Sequence, residues 1–163
     1  MLKIIRRPKE LMYSEWMHIY EESLQKQGET AYPHLSAEEQ LFRAEQDFYS
    51  DLRSFLTEDH GCCAVYDGIA AARFEPHKDG VLLMGLETAP VARNKGAATA
   101  LVNGVIRYLS ERGKTIIYSH VEKRNAASLA VHKKCGFCRS EEFAVFIDGS
   151  VSYDFETLMR KIP

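Results

Sequence analysis

The sequence predicts a mixed α+β fold: a central mixed, mostly antiparallel sheet of about seven strands, flanked by about four helices. Apolar residues recur at helical spacing in the segments that contain Trp16, Phe48 and Val105. Short runs of strand-forming residues lie between these segments, and turn pairs such as Asp67-Gly68 separate neighbouring runs. One helix falls between two such runs, which predicts a parallel crossover among antiparallel hairpins.

The N-terminal segment is predicted to form one strand and one helix. Residues 2–6 form the strand, and Pro8 suits the first turn of the helix, where its missing N–H costs nothing. The helical spacing continues to Leu24, and Gly28 is expected to end this helix. Residues 29–35 are then a connection.

A second helix and three strands are predicted next. Ser36 and Glu39 match a capping box, so the helix should begin there and run to about Glu58. Pro90 ends the last of the three strands, because proline cannot donate a ladder hydrogen bond. The three strands comprise residues 62–66, 69–75 and 81–88.

The C-terminal half is predicted to contain two helices and three strands. The first helix begins at Gly96, and Gly113 is a suitable residue just past its end. The second runs over residues 125–134 and is closed by Gly136. The strands comprise residues 115–121, 137–147 and 151–161, and the last two are joined by the turn Asp148-Gly149.

Length and charge narrow the class of protein. The 163 residues suit a single domain, expected to span residues 1–163. The formal net charge of -2 provides no global positive field for nucleic acid or an anionic membrane. No apolar run approaches the roughly 18 residues of a membrane span, and the N-terminus lacks a signal-peptide pattern. A cytoplasmic location is therefore expected, with the 4 cysteines as free thiols.

The segment from Leu86 to Ala98 joins a predicted strand end to a predicted helix start. A helix N-terminus presents unpaired N–H groups and the positive end of its dipole, which favours phosphate. Gly96 and Ala98 would allow close approach, and Arg93 and Lys95 would add positive charge. A solvated basic loop at a helix start fits these residues equally well.

This segment resembles the acetyl-CoA signature of the GNAT superfamily of N-acetyltransferases, Arg/Gln-x-x-Gly-x-Gly/Ala. The chain reads Arg93-x-x-Gly96-x-Ala98, with Pro90 three residues before the arginine as in the family. The order of predicted elements is also the GNAT order. The resemblance covers nearly the whole chain and is strongest over residues 82–137.

A second GNAT signature is similar to a later stretch of the chain. In the family, a strand is followed by Asn-x-x-Ala/Ser and by a helix that ends in Gly-Phe. The chain has Asn125-x-x-Ser128 and then Gly136-Phe137 at the usual spacing. Two signatures in the correct order are a far more specific signal than one.

The resemblance implies acetyl-CoA as co-substrate, with no metal. Its pyrophosphate should lie on the backbone N–H groups of residues 94–98, and its pantetheine should follow the strand at residues 84–88. In the family this strand splays apart from the strand at residues 115–121, and the acetyl thioester lies in the gap. The residues implied in cofactor binding are Leu86, Thr88, Arg93, Asn94, Lys95, Gly96, Ala97, Ala98, Thr99, Asn125 and Ser128.

The resemblance also implies direct attack of an acceptor amine on the thioester, which requires a base, an oxyanion donor and an acid. His132 stands where many relatives have a tyrosine acid, although an exposed helix histidine is the plain alternative. Glu87 and His120 are the candidates for the base, and a water chain is a third option. Strand alternation puts Glu87 on the opposite face from Leu86 and Thr88.

The acceptor is expected to be a small-molecule amine. Tyr32 and His34, in a loop near the first helices, are the candidate acceptor-binding residues, whereas Trp16 and Tyr20 fit core packing better. The spacing Cys135-Gly-Phe-Cys138 matches a redox motif, but it closes a helix where redox motifs open one.

Two other functions and an assembly state are left open. One function is a non-catalytic acyl-CoA-binding module, and the other is an acetyltransferase that acts on a protein or aminoacyl-tRNA amine. The net charge of -2 counts against a tRNA partner. The resemblance leaves room for a homodimer formed through the C-terminal strands.

Overall fold

A seven-stranded mixed sheet organises the chain in the computed structural model, which describes residues 1–58, 60–146 and 148–162. The strands, in chain order, are β1 (Leu2–Ile5), β2 (Cys62–Tyr66), β3 (Ala70–His77), β4 (Gly80–Thr88), β5 (Ile116–Glu122), β6 (Cys138–Arg139), β7 (Ala144–Val145), β8 (Val151–Ser152) and β9 (Phe155–Lys161). The α-helices are α1 (Tyr13–Ile19), α2 (Glu21–Ala31), α3 (Ala37–Thr57), α4 (Ala97–Ser110) and α5 (Ala126–Lys134). Short 3-10 helices cover Pro8–Glu10 and Pro90–Ala92.

The order of strands in the sheet is β1-β2-β3-β4-β5-β9-β6. Neighbours are antiparallel except for β4 and β5, which are parallel because α4 connects them. Strands β7 and β8 form a separate two-stranded sheet. The predicted mixed α+β class and mostly antiparallel sheet are confirmed.

Each face of the sheet carries its own apolar core. On one face, here called the α4 face, residues of α4 and α5 pack against inward residues such as Ala64, Leu83 and Ile117. On the other, here called the helix face, α1, α2 and α3 pack against residues such as Cys63 and Ala71. Alternate residues of one strand therefore serve opposite sides of the molecule.

Strands β4 and β5 part soon after they begin to pair. They pair at Val81, Leu82 and Leu83 only, although β4 continues to Thr88 and β5 to Glu122. The register between β3 and β4 shifts just beyond this point, where Gly85 adopts a left-handed φ of 61°. Such a β-bulge bends its strand, so the two parallel strands open into a V.

The first predicted helix is divided into three pieces. Leu11 and Met12 have extended backbone angles, which separate the 3-10 turn from α1. The non-helical angles of Tyr20 then separate α1 from α2. The prediction that Gly28 ends the helix is wrong, because α2 continues through it to Ala31.

Gly28 is required by packing between helices. It is buried where α2 crosses α3, and a Cβ built on it would lie 2.5 Å from the backbone oxygen of Gln40. A glycine at a close helix crossing and a glycine at a helix end look the same in a single sequence.

The two predicted C-terminal strands are also divided. Residues 137–147 contain β6 and β7, which belong to different sheets, and Ile147 lies outside the described residues. The polar run that begins at Ser140 interrupts the strand, and the Ser140 hydroxyl accepts the Glu142 N–H at 3.2 Å. Residues 151–161 likewise contain β8 and β9. The predicted turn at Asp148-Gly149 is present, since the Gly149 N–H donates to Phe146.

The other elements lie within two residues of their predicted bounds. The capping box is present, with Glu39 N–H donating to the Ser36 hydroxyl, and α3 ends at Thr57. Gly113 has a left-handed φ of 70° just past α4. The confirmed strands are β1, β2, β3, β4 and β5, and the confirmed helices are α3, α4 and α5.

Gly28→Ala should destabilise the protein, because the added methyl group has no space beside Gln40. We expect a loss of about 1–3 kcal/mol in the free energy of unfolding, typical of overpacking. Urea unfolding of the two proteins measures it. Gln27→Ala, at an exposed position of the same helix, should change stability by less than about 0.5 kcal/mol. Equal stability of Gly28→Ala and the parent would contradict the close crossing.

Candidate active site

A cleft of about 720 Å³ runs from α2, across the end of β4 and the start of α4, to α5. Eleven residues predicted from the sequence line it: Leu86, Glu87, Thr88, Arg93, Asn94, Gly96, Ala97, Ala98, Thr99, Asn125 and Ser128. The remaining lining residues were not singled out from the sequence: Glu22, Ser23, Lys26, Ala92, Ala127, Ala130, Val131 and Lys134.

The N-terminus of α4 opens into this cleft without a cap. Gly96 is the N-cap residue at a left-handed φ of 84°, and no side chain caps the helix among the described residues. The N–H groups of Ala97, Ala98 and Thr99 therefore have no acceptor within the helix. A Cβ built on Gly96 would meet nothing within 4 Å in the described structure, so the space is open. Partial positive charge and free donors make this end of the cleft suited to an anion.

The basic side chains around α4 are distributed differently from the prediction. The Arg93 guanidinium bonds the Glu22 carboxylate at 2.6 Å and the Thr88 carbonyl at 3.2 Å. The ammonium of Lys95 bonds the Val91 carbonyl at 2.9 Å, and this residue is not part of the cleft lining. Arg93 thus joins the loop that precedes α4 to α2, and its charge is already neutralised by Glu22.

Two lysines that line the cleft were missed from the sequence. Lys26 lies on α2 and Lys134 at the end of α5, and both are exposed. The Lys133-Lys134 pair was visible, but it also suits the negative end of a helix. No local signal marks Lys26, because only the fold brings α2 beside α4.

Beyond the bulge, the last residues of β4 alternate between the two sides of the sheet. Leu86 packs against the core of the α4 face, and Thr88 pairs with Ala70 of the same core. Glu87 pairs with Ala71, which belongs to the helix-face core. The alternation predicted for these three positions is therefore present, with Glu87 on the helix face.

The two candidate bases lie on opposite limbs of the V. The Glu87 carboxylate on β4 accepts the Ser23 hydroxyl at 2.7 Å and borders the cleft. His120 follows Ser119, the last residue of β5 paired with β4, and its ring lies 6.0 Å from that of His77 and 5.9 Å from that of Phe146. Burial lowers the pKa of His120, and the charges of His77 and Lys78 add to that shift. His120 does not line the cleft.

His132 is buried within α5, with 1% of its surface exposed, and is not part of the cleft lining. Its Nδ1 lies 2.8 Å from the Ser128 carbonyl, which requires Nδ1 to carry the proton. Nε2 is buried and has no hydrogen-bond partner among the described residues. Burial also lowers the pKa of this imidazole, against the opposing effect of the Ser128 bond. These features argue against His132 as a proton donor to a group in the cleft.

Asn125 holds the start of α5 at the cleft. Its side-chain oxygen accepts the N–H of Ser128 at 3.0 Å, which caps the helix. Both residues line the cleft. The Asn-x-x-Ser spacing therefore has a local structural role as well as a place at the site.

The predicted acceptor residues are not brought to the cleft. Tyr32 follows α2, and its hydroxyl donates to Asp47 of α3; His34 is exposed in the same loop. Neither lines the cleft, whose α2 residues are near the other end of that helix. Trp16 and Tyr20 are buried in the helix-face core, as predicted.

The cysteines are free thiols in the described part of the chain. Cys135 is buried at the end of α5, which raises the pKa of its thiol, and Cys138 is exposed. Within the described ranges, no group of three or more His, Cys, Asp or Glu side chains could hold a metal ion. No helix in those ranges is both long and apolar enough to cross a membrane.

The end of β4, where it has parted from β5, and the uncapped start of α4 line the same cleft. A model of the acetyltransferase (GNAT) family matches residues 12–137, and the chain belongs to that family. Mycothiol acetyltransferase of Amycolatopsis mediterranei (strain U-32) is 43% identical over 61 residues. This match spans 37% of the chain and only 20% of the relative.

Solved structures share the fold over almost the full chain. The PaiA N-acetyltransferase from Thermoplasma acidophilum, in complex with coenzyme A, superimposes with a TM-score of 0.64 at 12% identity, covering 99% of each chain. The ribosomal-protein-S18-alanine N-acetyltransferase from Escherichia coli gives 0.58 at 20% identity, covering 99% of this chain and 94% of that one. The expected GNAT resemblance is confirmed.

His132 should make stability depend on pH. The unfolded chain protonates this histidine near its ordinary pKa of 6.5, whereas burial lowers the pKa in the folded state. The unfolded state then binds more protons, so the free energy of unfolding falls as the pH is lowered through that range. Urea unfolding between about pH 7 and about pH 5 should show a shallower fall for His132→Gln than for the parent.

His34→Gln is the control, because His34 is exposed in a loop. It should retain the pH dependence of the parent protein. A parallel pH dependence for His132→Gln and the parent would show that His132 is not buried in its neutral form.

Proposed function

We propose that the protein is an acetyl-CoA-dependent N-acetyltransferase that moves an acetyl group to the amine of a small molecule. One observation carries the proposal: the uncapped start of α4 and the end of β4, beyond the point where it parts from β5, line one continuous cleft. An anionic group at the start of α4 and an acyl group beside the end of β4 can therefore belong to the same donor.

The described residues fit the donor. The N–H groups at the start of α4 would hold the diphosphate of acetyl-CoA, and Lys26 and Lys134 would add positive charge. Leu86 and Thr88 would border the pantetheine, with Asn125 and Ser128 on the opposite wall. The donor supplies an acetyl group already activated as a thioester.

The base in this proposal is Glu87. Its carboxylate borders the cleft but lies on the helix face, where an amine can approach from the side opposite to the donor. The Ser23 hydroxyl orients one carboxylate oxygen, which leaves the other to accept a proton from the acceptor ammonium. His120 is the alternative, from the other limb of the V. A backbone N–H of residues 86–88 is the proposed oxyanion donor.

A small-molecule acceptor is preferred because the net charge of -2 gives no broad basic surface for RNA. Thiol release from acetyl-CoA, measured across a panel of amines, tests the transfer. Release with a small amine supports the proposal, whereas tight CoA binding without release for any amine would favour a binding module. A cytoplasmic location and a homodimer remain predictions.

Gly96→Ala should weaken CoA binding. Alanine disfavours the left-handed conformation at φ 84°, so the free loop relaxes and binding must restore it. We expect the Kd for CoA to rise by about 5- to 30-fold, measured by titration calorimetry.

Gly113→Ala is the matched control for that experiment. It has a similar left-handed φ of 70° and equally open space, but it stands at the other end of α4. It should lose comparable stability and keep the CoA affinity of the parent. Equal effects of the two variants on CoA binding would remove the anion site from the start of α4.

Glu87→Gln should lower kcat/KM for the acceptor by about 100-fold or more, because the amide cannot take the ammonium proton. The Kd for CoA should stay the same, since the α4 end of the cleft is unchanged. His120→Gln, compared in the same assay, should have a much smaller effect. The reverse ranking would assign the base to His120.

A further inference from the structure

Arg73 is a half-buried arginine that has no anionic partner in the described part of the chain. It lies on β3 opposite Met84 and points to the helix face. Its guanidinium makes no ion pair or hydrogen bond within the described residues, and its Nε is buried and unsatisfied. Buried cations are normally paired, because desolvation of an unpaired charge is costly.

Packing holds this guanidinium beside the bulge of β4. Its carbon lies 5.5 Å from the centre of the Phe55 ring, which supplies a cation–π contact. A Cβ built on Gly85 would be 3.3 Å from the Arg73 Nε, so the bare glycine leaves room for it. Gly85 itself is exposed to solvent, so the guanidinium lies beside a solvent-exposed position of the backbone.

The same small region contains Glu87 and Tyr20. The Tyr20 hydroxyl donates to the Gly85 carbonyl. Burial raises the pKa of Tyr20, the charge of Arg73 opposes this rise, and the charge of Glu87 adds to it. Glu87 is occupied by Ser23 and does not pair with Arg73. The helix face of the V therefore carries a carboxylate that lines the cleft. It also carries, just outside the cleft lining, a guanidinium with no anionic partner among the described residues.

We propose that Arg73 binds an anionic group, a carboxylate or a phosphoryl group, carried by the amine acceptor. This inference rests on the proposed function, because it takes the helix face of the V as the acceptor side. The acceptor class is then an amine with an acidic group, such as an amino acid, rather than a polyamine or a neutral amine. The ammonium of the acceptor lies at Glu87, and the anionic end of the acceptor meets the Arg73 guanidinium. A guanidinium is planar and can bind a carboxylate or a phosphoryl group through two parallel hydrogen bonds.

The test compares acceptors that differ in one group. Thiol release is measured with α-amino acids and with ω-amino acids of increasing length. It is repeated with their carboxamides, with aminoalkylphosphonates and with diamines of matched length. The parent protein should prefer an anionic acceptor to its amide by about 10- to 100-fold in kcat/KM, as a charge-assisted bond provides. Carboxylates and phosphonates separate the two sources of the anion, and a preference for diamines or amides overturns the inference.

Arg73→Met keeps much of the packing and removes the charge. It should lower kcat/KM for the anionic acceptor by about 10- to 100-fold through KM, leave the amide unaffected and leave the Kd for CoA unchanged. Arg73→Lys should recover part of the loss. Arg112→Met is the control, because Arg112 also lies over an aromatic ring, 3.7 Å from that of Tyr108, but follows α4. An equal loss for every acceptor in Arg73→Met would mean a structural role only.

A second measurement is independent of acetyl transfer. The Nε–H signal of Arg73, assigned by its loss in Arg73→Lys, is followed by NMR in the CoA complex during titration with N-acetyl-β-alanine and with its amide. The signal should shift with the carboxylate and not with the amide. A shift without transfer to any amine would overturn the proposed function and leave the anion site standing. Transfer without a shift would overturn the anion site alone.

Discussion

The parting of β4 and β5 is the constraint on which the rest of the site depends. Two parallel strands in the middle of a sheet normally pair along their length, but here pairing stops after Leu83 and Ser119. The bulge at Gly85 bends β4 away, and the antiparallel partner β3 remains attached to it on the other edge. Beyond the bulge, strand alternation places Leu86 and Thr88 toward one face of the sheet and Glu87 toward the other. In the proposed reaction, the donor would lie on the first of these faces and the acceptor amine would approach on the second.

The charged groups beside the cleft differ in whether the folded chain already supplies a partner for them. At the start of α4, the free backbone N–H groups carry a partial positive charge. This partial charge is not paired with an acidic side chain in the folded chain as described. Arg93 would add a full charge there, but Glu22 neutralises it and so links the loop to α2. On the helix face the arrangement is reversed: Glu87 accepts a hydrogen bond from the Ser23 hydroxyl, and Arg73 has no anionic partner among the residues that the structure describes. The two faces thus differ in which charges are already satisfied.

Local pattern predicted most elements and eleven of the residues that line the cleft, because those features depend on near neighbours in the chain. The capping box at Ser36 and the small residues at Gly96 and Ala98 are examples. Features that depend on tertiary contact were missed or misread. Gly28 is a helix crossing and not a helix end, Lys26 reaches the cleft only through the fold, and Tyr32 bonds α3 and does not line the cleft. His132 stands at the position where many relatives have a tyrosine, but the sequence spacing does not indicate that its side chain is buried.

Trp16 gives the chain an optical property. It is the single tryptophan, it is buried, and its ring stacks on that of Tyr20 at 5.6 Å. The hydroxyl of Tyr20 in turn holds the carbonyl of Gly85. Fluorescence excited in the indole therefore originates from one known position, two contacts from the bend in β4. The emission of this indole is a label-free reporter of the strand that forms one wall of the opening.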